Sequence, residues 1–171
     1  MKISTLARTA VAAALALTLA ACGSSSSSDG AGTPAPGVTA ADAWVKAVDS
    51  GMTAAFLTLT NSTDKDVTLV KASTPAAGMV ELHEMAMQDG EMVMQPKAGG
   101  IPVKAGGSAT LEPGGDHIML MELTGPVKVG DDVALTLTFD DGTTLEVTAP
   151  AKEFDGGNES YEPSPSESMS M

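Results

Sequence analysis

Between residues 38 and 150 apolar side chains recur at every second position, and clusters of Gly and Pro break the pattern at short intervals. Strand side chains alternate between faces, so a period of two predicts half-buried strands, and the frequent punctuation predicts an all-β sandwich or barrel. Residues 54–60 (AAFLTLT) and 133–139 (VALTLTF) show the alternation most cleanly. The second run leads through Asp140-Asp141-Gly142-Thr143 into another at 144–148, and an Asp-Gly pair between two alternating runs is a hairpin signal. Further turns are expected at 61–65, 74–78, Asp89-Gly90, Gly99-Gly100, Ala105-Gly106-Gly107, Pro113-Gly114-Gly115 and Gly125-Pro126. No stretch keeps helical periodicity for three turns, and no internal repeat is visible.

The ends of the chain follow other rules. Residues 1–21 open with Lys2 and Arg8, run through small and apolar residues, and stop before Cys22, which reads as an export signal too short to span a membrane. The sequence Leu19-Ala20-Ala21-Cys22 resembles the lipobox of bacterial lipoproteins, and Cys22 is the only cysteine in the chain. Lipid on Cys22 would fix the protein to the cell membrane on its extracytoplasmic side without spanning it. Residues 22–37 form a Ser, Gly and Pro linker, expected to be a flexible tether. Residues 151–171 are expected to be a disordered acidic tail rich in Ser and Pro, with Met169 and Met171 near its end. The folded unit is thus expected over 38–150.

Charge narrows the function. The net charge is −13, and of the nine Lys and Arg residues two, Lys2 and Arg8, fall in the leader. The seven lysines that remain are outnumbered by twenty-two Asp and Glu, which leaves no net positive charge to neutralise phosphates, so no nucleic-acid partner is expected. An acidic surface suits solubility and attracts cations or basic partner faces. A single cysteine leaves the domain no disulfide, and nothing suggests more than a monomer.

The candidate chemistry lies in two histidines, each inside a methionine cluster. The first cluster is His83-Glu84-Met85-Ala86-Met87, continuing past Asp89-Gly90 to Met92-Val93-Met94; the second is His117-Ile118-Met119-Leu120-Met121. On strands, His117, Met119 and Met121 share one face, as do His83, Met85 and Met87, and Met92 with Met94. Two hairpin strands and a third could bring these tips together at one end of a sandwich. Thioethers are soft neutral ligands that suit Cu(I), whereas zinc sites use Cys, His and carboxylate, and calcium or magnesium sites use oxygen. A blue-copper centre needs a thiolate, and the domain has none. Without thiolate the grip on Cu(I) is weaker, so transfer to a cysteine-containing acceptor would run downhill. Methionine is also an adaptable core filler, and Met52, Met79 and Met121 are read as packing residues.

The spacing of His83, Met94, His117 and Met119 resembles the signature of the PCu(A)C periplasmic copper chaperones. The surrounding segments agree: Asp42-Ala43-Trp44, FLTLTN at 56–61, Leu82-His83-Glu84 and Pro113-Gly114-Gly115. The resemblance implies a cupredoxin-like β-sandwich that binds Cu(I) through His83, Met94, His117 and Met119, with Met85 as an alternate ligand. It also implies delivery of copper to a membrane copper enzyme, the binuclear copper centre of cytochrome c oxidase, directly or through an assembly chaperone. Some members carry a tail of His and Met that binds a second copper; this tail has no histidine.

Other readings remain at the level of sequence. A copper redox enzyme is disfavoured because both histidines are committed, which leaves no general base and no open coordination position, so no enzymatic activity is expected. A surface lipoprotein with an interaction role, or a copper-buffering resistance protein, would share most of these features.

Overall fold

The computed structural model describes residues 33–156, and among them there are strands and turns but no helix. Eleven strands follow in order: β1 (Thr33–Pro34), β2 (Val38–Lys46), β3 (Thr53–Asn61), β4 (Val67–Ser73), β5 (Ala77–Gln88), β6 (Glu91–Pro96), β7 (Ile101–Val103), β8 (Ser108–Leu111), β9 (His117–Leu123), β10 (Asp132–Phe139) and β11 (Thr143–Lys152). The runs expected at 54–60 and 133–139 are β3 and β10, each a residue or so longer. The Asp-Gly signal closes the β10–β11 hairpin, where the Gly142 N–H donates to the Phe139 carbonyl at 3.0 Å.

The hydrogen-bonded path runs β6-β5-β9-β3-β2-β11-β10-β4-β7, with β8 added to β3 and β1 to β11. Two strands change partners along their length. On β3, Thr53 to Ala55 pair with β9, and Leu57 to Thr60 pair with β8. On β11, residues 144–150 pair antiparallel with β10, then Ala151 and Lys152 pair parallel with β2. That switch joins the two sheets into a sandwich around one apolar core, in which Leu59, Leu69, Leu120, Leu135 and Leu137 are fully enclosed.

Strand β9 departs from the half-buried pattern because His117 to Met121 are all buried. Ile118 and Leu120 enter the main core, whereas Met119 and Met121 join a second, smaller cluster with Met94, onto which Ala54 and Met85 pack. The alternation of strand faces therefore divides β9 between an aliphatic core and a sulfur-rich layer on the opposite side.

The folded unit runs past 38–150 at both ends. Thr33 and Pro34, in the stretch read as linker, pair with Thr143 and Thr144. Ala151 is buried, Lys152 completes β11, and Phe154 packs edge-on against Trp44 at 5.4 Å between ring centroids. The stretch 151–156, expected to be tail, is thus part of the sandwich, because Phe154 has an aromatic surface to cover that the Ser and Pro composition beyond it conceals. The leader, Cys22, Met169 and Met171 lie outside the described residues.

Candidate metal centre

Both histidines are placed by backbone geometry that their neighbours dictate. Pro113 and Gly114 occupy the centre of a tight turn, with Gly114 at φ +82° and the Gly115 N–H donating to the Glu112 carbonyl at 3.0 Å. Proline at the first central position and a left-handed glycine at the second is the type II pattern. The turn delivers the chain into β9 with His117 first, and the His117 Nδ1–H donates to the Gly115 carbonyl at 3.0 Å. A carbonyl only accepts, so the neutral ring keeps its lone pair on Nε2. That nitrogen faces the Met94 sulfur at 3.0 Å, deep in the protein.

His83 is brought to His117 by register. The two residues are directly opposed across β5 and β9, so their rings share a face, with centroids 5.7 Å apart at 65°. His83 is fully buried and His117 5% exposed. The β5–β6 hairpin turns on Asp89 and Gly90, both with positive φ (52° and 92°), as a two-residue type I′ turn requires. A turn of that length fixes the register, and Met85 opposes Met94 as a result. Met94 extends across β5 to reach His117, and Met119 opposes Ala54 of β3 on the same face.

His117, Met85, Met94 and Met119 line one cavity of about 160 Å³, whose other walls include Met52, Phe56, Pro113 and Phe154. That is about half the lower limit for organic-ligand pockets, roughly 300 Å³, which argues against a large organic ligand. His83 does not line the cavity; its ring lies behind that of His117. Of the residues read as packing, Met121 is buried, whereas Met52 and Met79 are 42% and 44% exposed. Met52 precedes β3 at the cavity rim, and Met79 opposes Met121 on the face turned away from the main core.

Two supporting side chains escaped the sequence reading. The Glu81 carboxylate lies 2.9 Å from His83 Nε2. A carboxylate accepts, so Nε2 carries the proton and Nδ1 the lone pair; a carboxylate on the far nitrogen is how metal-binding imidazoles are commonly oriented. Parity on β5 could have found Glu81, since residues 81 and 83 share a face. Lys97 bridges Glu84, the residue after His83, and Asp116, the residue before His117. The hydrogen bond from Lys97, helped by one from Gln95, holds the Glu84 carboxyl below its usual range; the bond to Glu84 in turn raises the Lys97 ammonium, against partial burial.

The donor set fits a soft monovalent ion. It offers neutral imidazole nitrogen and thioether sulfur, and among the described residues no three His, Cys, Asp or Glu side chains assemble as a harder metal site would require.

Comparison with known proteins places the chain in a family. Residues 38–151 match the family model described as "Putative lipoprotein LpqE-like". The chain belongs to that family. A curated relative, "Putative lipoprotein Lxx21020" of Leifsonia xyli subsp. xyli, is 43% identical over 127 residues, 74% of this chain and 76% of the relative. Among solved structures, apo-DR1885 from Deinococcus radiodurans is 36% identical with a TM-score of 0.56, spanning 92% of this LpqE-like chain and 99% of its own. Its CuI form aligns with a TM-score of 0.52 over 72% of this chain and 85% of that one. The apo PCuAC domain from PmoF1, 17% identical over 71% of this chain and 98% of its own, shares the fold with a TM-score of 0.58. The LpqE-like fold is therefore the all-β sandwich of PCuAC domains.

Changing Glu81 to Gln keeps the shape of the side chain and removes its charge. If His83 is a Cu(I) ligand and the carboxylate orients it and raises its basicity, Cu(I) affinity falls by roughly 10-fold in a chelator competition, within the range for outer partners of a ligand. An unchanged affinity would leave Glu81 a surface residue only.

Proposed function

We propose that this protein is a lipid-anchored, extracytoplasmic Cu(I) carrier with no reaction of its own. The observation that supports it most directly is the meeting of His117 Nε2 with the Met94 sulfur at 3.0 Å, beside the His83 ring and over the buried Met119. Two imidazoles and two thioethers balance the needs of Cu(I) without burying excess negative charge. His83, Met94, His117 and Met119 are the ligands in this reading, with Met85 able to replace a sulfur from its position directly opposite Met94.

Transfer follows from the same chemistry. A site lacking thiolate yields Cu(I) to a cysteine-containing acceptor, and the cavity walls of Met52 and Phe154 give such a partner an apolar approach. Lipid on Cys22 would keep the carrier at the membrane surface where a copper enzyme is assembled. The resemblance to PCu(A)C chaperones points to the binuclear copper centre of cytochrome c oxidase as the destination. The CuI form of DR1885 is consistent with the oxidation state.

X-ray absorption at the copper edge tests the reading. The loaded protein should show a Cu(I) edge with two nitrogen and two sulfur neighbours; a spectrum of oxygen neighbours alone, or no retained copper, would overturn it.

A further inference from the structure

Of the six large hydrophobic side chains most exposed among the described residues, four are methionines: Met52, Met79, Met87 and Met92. Met87 and Met92 are the most exposed of these, at 68% and 51%, and they are directly opposed across the β5–β6 hairpin. The next opposed pair on the same face is Met85 with Met94. Four thioethers thus form a two-by-two ladder. Its outer rung stands in solvent beside the Asp89-Gly90 turn, and its inner rung belongs to the cavity that holds His117 and Met119.

We infer that Met85, Met87 and Met92 form a second, outer Cu(I) site through which the ion enters and leaves the buried centre. This inference rests on the carrier reading above. Directly opposed Cβ atoms in an antiparallel pair lie roughly 4.5–5.5 Å apart, a span that methionine's three rotatable bonds can close around one ion. The ligands are neutral and soft, so the site selects Cu(I) and passes over zinc and calcium. It is weaker than the inner centre, because it lacks imidazole and stands in water. Asp89 and Glu91 flank the outer rung and raise the local cation concentration. Met85 is shared: it opposes Met94 and packs on the buried sulfur cluster, so an ion can pass inward by exchanging one thioether at a time, its charge unchanged.

A burial pattern shaped by packing alone would put the bulky apolar residues of this hairpin inward. Here two of them, Met87 and Met92, face solvent instead. The two-residue turn forbids a one-residue slip, so the ladder is a fixed feature of the register.

The test uses the full chain carrying Cys22→Ser, so that no thiol competes, with methyl-labelled methionine under anaerobic conditions and Ag(I) as a redox-inert probe for Cu(I). The first equivalent should shift the Met94 and Met119 methyl resonances. Further Ag(I) should shift the Met87 and Met92 methyls along one shared curve, at least 10-fold weaker. The volume-conserving double variant Met87→Leu and Met92→Leu should abolish the second event and leave the first unchanged. An intact first event with static Met87 and Met92 methyls, or a second event carried by Met169 and Met171, would overturn the outer site. Silence at Met94 and Met119 throughout would overturn the carrier reading and this inference with it.

Discussion

Replacing His83 and His117 together with alanine is expected to weaken Cu(I) retention at least about 100-fold, since loss of even an outer partner of a ligand costs roughly 10–100-fold. The two rings are opposed across β5 and β9 with centroids 5.7 Å apart, so one substitution leaves the other imidazole and the methionines in place, and only the pair removes all nitrogen from the site. The His117 change alone should cost more than the His83 change. His117 lines the cavity and points Nε2 at the Met94 sulfur, whereas His83 stands behind it and is held by Glu81. Both rings are buried, so alanine opens space in the fold. Thermal melts without copper separate that effect from lost ligation: the double variant should melt cooperatively at a lower temperature yet fail to gain stability when Cu(I) is added, while the wild type gains it by mass action. Retention at the wild-type level by a folded double variant would end the carrier reading.

The sulfur ladder and the paired histidines were legible in the sequence to different depths. Parity alone places Met85 and Met87 on one face, and the Asp89-Gly90 turn aligns them with Met94 and Met92, because a two-residue turn leaves no freedom in register. The opposition of His83 and His117 could not be read this way. Strands β5 and β9 are joined by no short turn, and their register is set by side chains such as Leu82 and Ile118 entering the main core. Glu81 shares a face with His83, but nothing in the sequence singles it out among twenty-two Asp and Glu. Phe154 read as tail because the composition after it is polar, although its ring packs on Trp44 and its side chain walls the cavity. Trp44 itself is aimed by a bulge: the β2–β3 register shifts between Ala41 and Trp44, and Asp42, at φ +53°, takes the left-handed conformation. The bulge sets the indole at 4.5 Å from Phe56, whose ring approaches His117 at 6.2 Å, so an aromatic wall runs from the domain's last residues to the candidate ligand.

The largest expected loss of stability from a polar substitution lies at Asn61, at the end of β3. Its side chain is fully buried and satisfied on both sides: Nδ2 donates to the Lys65 carbonyl at 2.7 Å and the Val103 carbonyl at 3.2 Å, and Oδ1 accepts from the Thr63 N–H at 3.0 Å and the Thr63 hydroxyl at 2.7 Å. One amide thus closes the β3–β4 connection and ties it to β7. Alanine at this position removes the amide and leaves the Val103 carbonyl with a lost bond in a buried setting, while the Lys65 carbonyl and Thr63 hydroxyl can turn to water. A buried polar group left without its partner costs about 1–3 kcal/mol, and the lost ordering of the turn adds to that, so Asn61→Ala should cost about 2–4 kcal/mol. The denaturant midpoint should fall with the slope unchanged, since the surface exposed on unfolding is nearly the same. Asn61 opposes Val38 and is not among the cavity-lining residues, so Cu(I) affinity of the folded variant should match that of the wild type. Near-wild-type stability would show that the connection between β3 and β4 holds its shape without the amide. A matching loss of copper affinity would show that the end of β3 far from Ala54 is mechanically coupled to the sulfur-rich face, which the separation of the two clusters on opposite sides of the sheet argues against.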